Sequence, residues 1–228
     1  MKYIFPYNGY LFQWGRDGNL TLGILLGVIA LIAVIGYLFG SINTAVIVSK
    51  KLYGKDVRNF GSGNAGMTNM FRAFDKKAGF LTLAGDELKA FLAVGIGYFA
   101  LGDRGSYVAG FFCLIGHSFP LFFQFKGGKG VVVSAITILF IDPLVFAILI
   151  LIFGLMFFAT RIVSASSITA AFFYPVIVYG FHRASPDLIY TAFSLFIGLF
   201  VIAMHRENIH RLINKEEKKV EFGKKKKG

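Results

Sequence analysis

The sequence predicts an all-α, polytopic bundle of about seven membrane-spanning segments, and three observations carry that prediction. Of 228 residues, 56% are hydrophobic, 27 are phenylalanine and the mean hydropathy is +0.66, well above an ordinary soluble domain. Apolar runs recur that approach or exceed the roughly 20 residues a helix needs to cross ~30 Å of hydrocarbon. The charges sit in short blocks between those runs, where membrane topology places them. The one cysteine, Cys113, lies in an apolar run, so no disulfide framework or thiolate metal cluster is available. The net charge of +12 suits anionic lipid or an anionic substrate; nucleic acid is set aside as a partner because topology alone accounts for the basic blocks.

Taken in order, residues 1–19 are mixed and aromatic without a lysine-led apolar run, and so are not read as a cleaved signal. Residues 20–49 form a long, tilted first span ending in polar Ser41 and Asn43. Residues 79–101 are apolar but carry Asp86, Glu87 and Lys89, which are expected to form an internal ion network because charges at that depth face the bundle interior. Residues 107–125 form the next segment. The run that follows is split at Asp142-Pro143 into 131–141 and 143–160, since proline cannot continue the helical ladder unaided. Segments 162–181 and 188–204 complete the set, leaving a basic tail over 205–228. The whole chain, 1–228, reads as a single membrane-integral domain without an internal repeat.

Counting basic residues gives an orientation. With the tail in the cytoplasm, the loops on that side hold 19 Lys and Arg against 4 outside, and 15 against 4 if Lys224–Lys227 are left out. The positive-inside rule then puts the N-terminus outside and the C-terminus in the cytoplasm. On this topology the donor-rich clusters fall on one face, at the cytoplasmic membrane boundary.

The first cluster is Gly61-Ser62-Gly63-Asn64-Ala65-Gly66-Met67-Thr68-Asn69-Met70-Phe71-Arg72. Glycine-rich backbone can turn several N–H groups on one anion, while Ser62, Asn64, Thr68, Asn69 and Arg72 add directed donors. The second is Lys126-Gly127-Gly128-Lys129-Gly130, which lacks the spaced glycine and trailing hydroxyl of a nucleotide-binding loop. Arg161, Ser164, Ser166 and Ser167 form a third, and His205 with Asn208, three positions apart on one helix face, a fourth. Two oxyanion loops suggest two phosphate-bearing substrates. Bland readings stand beside these: Ser62 as a helix N-cap, the lysine loop as an interfacial turn, His117 as a packing histidine and His205 as a solvated one.

In these motifs, together with Gly40-Ser41-Ile42, Gly116-His117-Ser118-Phe119-Pro120 with Phe125-Lys126, Arg161-Ile162-Val163-Ser164 and His205-Arg206-Glu207-Asn208-Ile209-His210-Arg211-Leu212, the chain resembles the bacterial acyl-phosphate:glycerol-3-phosphate acyltransferases of phospholipid synthesis. It departs from the family's usual pattern at Met67, Asn43 and Ala90. The resemblance implies a multi-pass enzyme of the bacterial cell membrane with its active site facing the cytoplasm. It implies transfer of a fatty acyl group from acyl phosphate to the 1-hydroxyl of glycerol 3-phosphate, giving lysophosphatidic acid and phosphate. No cofactor and no metal are implied; membrane lipid is a partner, and the enzyme supplying acyl phosphate is a further one the resemblance allows.

On that resemblance Ser62, Arg72, His205 and Asn208 are the expected catalytic residues. Asn64, Thr68, Asn69, His117, Lys126, Gly127, Gly128, Lys129, Gly130, Ser164 and Ser166 are expected to bind substrate, with His117 orienting the second loop. Because acyl phosphate carries a good leaving group, charge neutralisation and positioning are the expected catalytic terms, with a phosphate oxygen taking the proton. His182 and Asp187 have the His-x-x-x-x-Asp spacing of a different acyltransferase group but fall in a short outside loop and are read as a coincidence. The alternatives are a transporter or channel for a phosphorylated metabolite, whose charges should line a path across the membrane, and a lipid-binding anchor, which would leave the glycine loops unexplained.

Overall fold

The computed structural model describes residues 22–220; the expectations for residues 1–19 and for Lys224–Lys227 lie outside them. Every regular element among the described residues is helical. Four stretches are long and apolar enough to cross a membrane, or five if a bent pair near the C-terminal end is one span. The chain divides into two compact units, Met1–Pro143 and Leu144–Gly228.

The first unit opens with α1 (Leu22–Gly40) and α2 (Thr44–Tyr53). What reads in the sequence as one tilted span is therefore broken over Ser41–Asn43. The cause is local: Asn43 adopts an extended backbone and its side chain accepts from Val46 N–H at 3.1 Å, the N-cap of a new helix. A glycine is needed where α1 ends, because a Cβ at Gly40 would strike the Cys113 carbonyl on the neighbouring helix. A 3-10 turn (Val57–Asn59) and the short α3 (Met67–Ala73) follow, and α2, this turn and α3 share an apolar cluster of Ala45, Val46, Val57, Ala65, Met70 and Ala78.

Next comes α4, Lys76–Ser118, a 43-residue stretch with non-helical backbone at Leu101 and Gly102. Two residues show that it doubles back there. Lys89 Nζ and His117 Nδ1 lie 3.0 Å apart, whereas 28 residues of straight helix would separate them by about 42 Å. Gly102 supplies the left-handed turn at φ 61°, and the arms close so tightly that Gly97 and Gly105 meet backbone to backbone. A second 3-10 turn (Leu121–Phe123) leads through the glycine loop to α5 (Val131–Ile141).

Buried charge organises this unit. Lys89 Nζ forms an ion pair with Asp86 Oδ1 at 2.8 Å and donates to the Ile42 carbonyl at 2.6 Å, in addition to its contact with His117. Asp86 and Lys89 are each about 4% exposed and lie on one helix face at i and i+3. Glu87 corrects the sequence reading: one position on, it is rotated about 100° around the helix, lies exposed, and takes no part in the network.

The second unit holds α6 (Pro143–Thr160, entered from the first unit at Pro143), α7 (Val163–His182), α8 (Leu188–Met204) and α9 (Arg206–Ile213). The largest contact is between α7 and α8, where buried Tyr174 and Tyr190 meet edge to face at 6.4 Å. Arg161, at φ 60°, takes the left-handed position that ends α6. The bend between α8 and α9 is 60°.

Replacing Lys89 by methionine leaves Asp86 buried without its cation and removes the donor that ties Ile42 to His117. Thermal unfolding in detergent should show a loss of about 3 kcal/mol, and D86N/K89M should recover part of it, because the uncompensated charge is then gone. Equal stability of K89M and wild type would mean that the network does not hold the helices together.

Candidate functional site

In the first unit, the first glycine loop is built around one amide. Asn69, about 1% exposed at the start of α3, accepts from the Ser62 N–H at 2.9 Å through Oδ1. Its Nδ2 donates to the carbonyls of Phe60 and Asn64 at 2.9 and 3.0 Å and, more weakly, of Val57 at 3.3 Å. One side chain thus closes four backbone groups of the loop, and this buried amide shapes the loop that carries Ser62 and Asn64. Gly61 and Gly63 supply left-handed turns on either side of Ser62. Ser62 is no helix cap: the cap residue of α3 is Gly66, which makes no side-chain cap bond. Ser62, Asn64, Thr68 and Arg72 are half-buried on the rim of this loop.

An ion pair ties the first loop to the second. Arg58 binds Asp56 through two nitrogens, at 3.0 and 2.8 Å, and donates its third to the Phe123 carbonyl at 2.7 Å, 65 residues on. The guanidinium bonds hold the Asp56 carboxyl down at about 2, so it stays ionised and the clamp stays formed across physiological pH. Phe123 also packs on the apolar cluster beneath the first loop. Arg58 and Asp56 are not among the residues that the sequence reading selected. Spacing gives no sign of them, because the Arg58 partner is a backbone carbonyl distant in sequence.

The second loop rests on His117. The Gly127 and Gly128 N–H groups donate to the carbonyls of Ser118 and His117 at 3.1 and 3.0 Å. Gly128 lies against the imidazole so closely that any Cβ there would collide with Nε2. Because an ammonium can only donate, the 3.0 Å contact with Lys89 makes His117 Nδ1 the acceptor, which leaves the ring proton on Nε2, facing the glycines. Gln124 and Phe125 are both held left-handed on the approach, at φ 60° and 56°. Lys126 is exposed, Lys129 is half-buried, and Gly130 at φ 81° starts α5 without a side-chain cap. An uncapped helix start beside two lysines favours an anion.

In the second unit, His205 is buried at the α8–α9 bend, and its Nδ1 lies 2.7 Å from the Val201 carbonyl. A carbonyl only accepts, so Nδ1 carries the proton and Nε2 the lone pair of the neutral ring. Asn208 Nδ2 donates to Glu217 Oε1 at 2.9 Å, and Ser164 Oγ donates to the same oxygen at 3.1 Å. Arg211 Nε binds Oε2 at 2.7 Å. Ser166 is fully buried and its hydroxyl donates to the Ile162 carbonyl at 3.0 Å, within its own helix. Ser167 does the same with the Val163 carbonyl. Asp187 caps α8 by accepting from the N–H groups of Ile189 and Tyr190, and the His182 ring packs on Tyr190 at 5.3 Å. A carboxylate occupied as a cap does not orient a catalytic base, so the His-x-x-x-x-Asp spacing here is structural.

The family model described as "Glycerol-3-phosphate acyltransferase" matches residues 30–215. The chain belongs to the glycerol-3-phosphate acyltransferase family. A Bacillus subtilis (strain 168) protein of that name is 41% identical over 194 residues, covering 85% of this chain and 98% of the relative. One from Bacillus cytotoxicus is 41% identical over 199 residues, covering 86% and 98%. Among solved structures, the chain is similar to PlsY, an integral membrane glycerol 3-phosphate acyltransferase. Against its glycerol 3-phosphate form the identity is 34% and the TM-score 0.78, with 85% of this chain and 96% of that one covered. Against its lysophosphatidic acid form they are 32% and 0.74. With its apolar helices, this family member is a multi-pass integral membrane protein.

A methyl group at Gly128 has nowhere to go except into His117 Nε2. G128A should therefore fall at least tenfold in activity, while N69A, which takes the acceptor from the Ser62 N–H and one donor from each of three carbonyls, should lose about 2 kcal/mol of stability as well as activity. Steady-state rates and thermal unfolding in detergent read the two separately. Full activity of G128A would show that the close contact has no part in the site.

Proposed function

We propose that the protein transfers a fatty acyl group from acyl phosphate to the 1-hydroxyl of sn-glycerol 3-phosphate, releasing lysophosphatidic acid and inorganic phosphate. The single observation that carries this reading is the pair of oxyanion loops joined within one unit, one shaped by Asn69 and the other by His117, and linked by the Arg58 bond to Phe123. Two phosphate-bearing substrates call for two such loops. The family relationship supports glycerol 3-phosphate as the acceptor. The two PlsY forms, with glycerol 3-phosphate and with lysophosphatidic acid, correspond to an acceptor and its acylated product.

In this reading the acceptor oxygen attacks the acyl carbonyl, the carbon–oxygen bond to phosphorus breaks, and the hydroxyl proton passes to a phosphate oxygen. Ser62 and Arg72 bind the acyl phosphate and meet the developing negative charge, Arg72 by its planar fork. Asn64 and Thr68 line the same loop. Lys126, Gly127, Gly128, Lys129 and Gly130 cradle the glycerol 3-phosphate phosphate, with His117 Nε2–H as an added donor. His205 and Asn208 bind the acceptor. Asn69 and Ser166 support the site from within, through loop closure and helix packing. We assign the site to the cytoplasmic face, with about seven segments crossing the membrane, an outside N-terminus and a cytoplasmic C-terminus, from the excess of basic residues in the loops.

Detergent-solubilised protein given acyl phosphate and glycerol 3-phosphate should release phosphate only when both are present. Uptake of glycerol 3-phosphate into vesicles without release would establish transport instead. H205A should be slower but keep the shape of the wild-type pH–rate profile, since the proton goes to phosphate; loss of one limb near neutral pH would make His205 the base. H182A and D187A should stay within about threefold of wild type, and abolition of transfer by either would overturn the site assignment.

A further inference from the structure

One carbonyl oxygen stands at the junction of the two glycine loops. The Phe123 carbonyl accepts from Arg58 Nη1 at 2.7 Å and from the Lys126 N–H at 3.3 Å. The first donor lies just before Ser62, and the second opens the lysine loop. Between that oxygen and Lys126 come Gln124 and Phe125, left-handed at φ 60° and 56°, a conformation that residues with side chains adopt only where their surroundings hold them. Inside the turn, the Phe123 and Phe125 N–H groups donate to the Pro120 carbonyl at 3.2 and 3.0 Å. Arg58 adds a hold from outside it, so the start of the second loop is fixed in part by a side chain of the first.

Arg58 is itself firmly placed. Asp56 Oδ1 accepts from the Arg58 N–H and from its Nε, each at 3.0 Å, and Oδ2 accepts from Nη2 at 2.8 Å, so one carboxylate fixes both the backbone and the guanidinium of the same residue. The two side chains are only 17% and 16% exposed, which shields the pair from screening by salt. Val57, the preceding residue, is fully buried, and its N–H donates to Ser49 Oγ of α2 at 3.2 Å. The carbonyls of Val57 and Phe60, on either side of Arg58, accept from Asn69 Nδ2, while Asn69 Oδ1 takes the Ser62 N–H. A run of bonds therefore leads from Ser62 through Asn69, the 57–59 turn and the Arg58 fork to the Phe123 carbonyl and the Lys126 N–H. Only a planar fork can grip the carboxylate along one edge and reach the carbonyl with its remaining nitrogen.

We infer that Arg58 is a positioning residue that couples the two substrates: an anion seated on the first loop stiffens the turn carrying Arg58 and, through the Phe123 carbonyl, sets the second loop for its own anion. The ordering that the first ligand imposes is not lost again when the second binds, so each tightens the other, and by linkage to the same degree. Direct repulsion between two bound phosphates acts in the opposite sense, so any net tightening has to come through the protein. The inference rests on the assignment of acyl phosphate to the first loop and glycerol 3-phosphate to the second given above.

The test uses the full chain in detergent, with the Kd of glycerol 3-phosphate read by calorimetry alone and under a saturating acyl methylenephosphonate, in which a CH2 group replaces the bridging oxygen so that no transfer occurs. In wild type we expect the phosphonate to lower that Kd by about fivefold or more. In R58Q the two Kd values should agree within about twofold. D56N keeps the guanidinium but loosens its anchor; it should lose most of the coupling too, and it reads the same link should R58Q fail to fold. D187A, which uncaps α8 far along the chain, should lower the unfolding temperature and keep the wild-type ratio. Wild-type protein that binds both ligands independently overturns the inference and leaves both substrate assignments standing. Full coupling in R58Q and D56N overturns it as well, and so does loss of coupling in D187A, since a general loss of stability would then suffice. Wild-type protein that binds glycerol 3-phosphate but not the phosphonate overturns the donor assignment and the inference with it, and protein that binds neither overturns both assignments.

Discussion

A buried ammonium group has three protons to donate and no way to accept, so whatever surrounds it must supply acceptors in fixed directions. Lys89 finds the Ile42 carbonyl and the His117 imidazole, and pairs its charge with the Asp86 carboxylate. Each choice determines something else in the first unit. The carboxylate makes the charge tolerable in an apolar helix. The Ile42 carbonyl is available because Asn43 begins a new helix immediately after it. The imidazole, obliged to accept at Nδ1, turns its Nε2 proton toward Gly128 and gives the second glycine loop a donor beneath it. A helix break, a helix hairpin and an oxyanion loop are thus joined at one nitrogen.

The helical class, the apolar segments and the glycine loops were legible in the sequence because each has a local signature: run length, proline, or clustered small and polar residues. The chain reversal at Leu101–Gly102 and the break at Asn43 follow from single residues with known backbone preferences. Glu87 shows the limit of position counting, since a charge within one turn of Asp86 still points elsewhere. Contacts between distant segments left no such trace. The Arg58 bond to the Phe123 carbonyl has a backbone partner, and any residue type at 123 would offer the same oxygen. Glu217 was hidden by its lysine neighbours, because composition averages over a segment while burial is decided residue by residue.

Hydrogen bonding also separates residues of one type into different tasks. Asn69 and Asn208 are both buried asparagines in or beside a motif. Asn69 bonds to the backbone of its own loop, whereas Asn208 donates to a carboxylate from the tail. Ser164 and Ser166 are two positions apart on α7; one reaches Glu217 and the other its own helix carbonyl. Asp187, five residues beyond His182, is a helix cap. In each case the partner, and not the residue type, decides between support and chemistry.

The second loop depends on the direction in which His117 faces. The chain contains four histidines, and nitrogen NMR of histidine-labelled protein in detergent, with the His117 signals identified by their loss in H117Q, reads which ring nitrogen is protonated. A neutral ring at pH 7 with Nε2 protonated and Nδ1 bare is the predicted result. A proton on Nδ1 would contradict it, because Lys89 could then no longer donate there and the second loop would lose the donor on which its role depends.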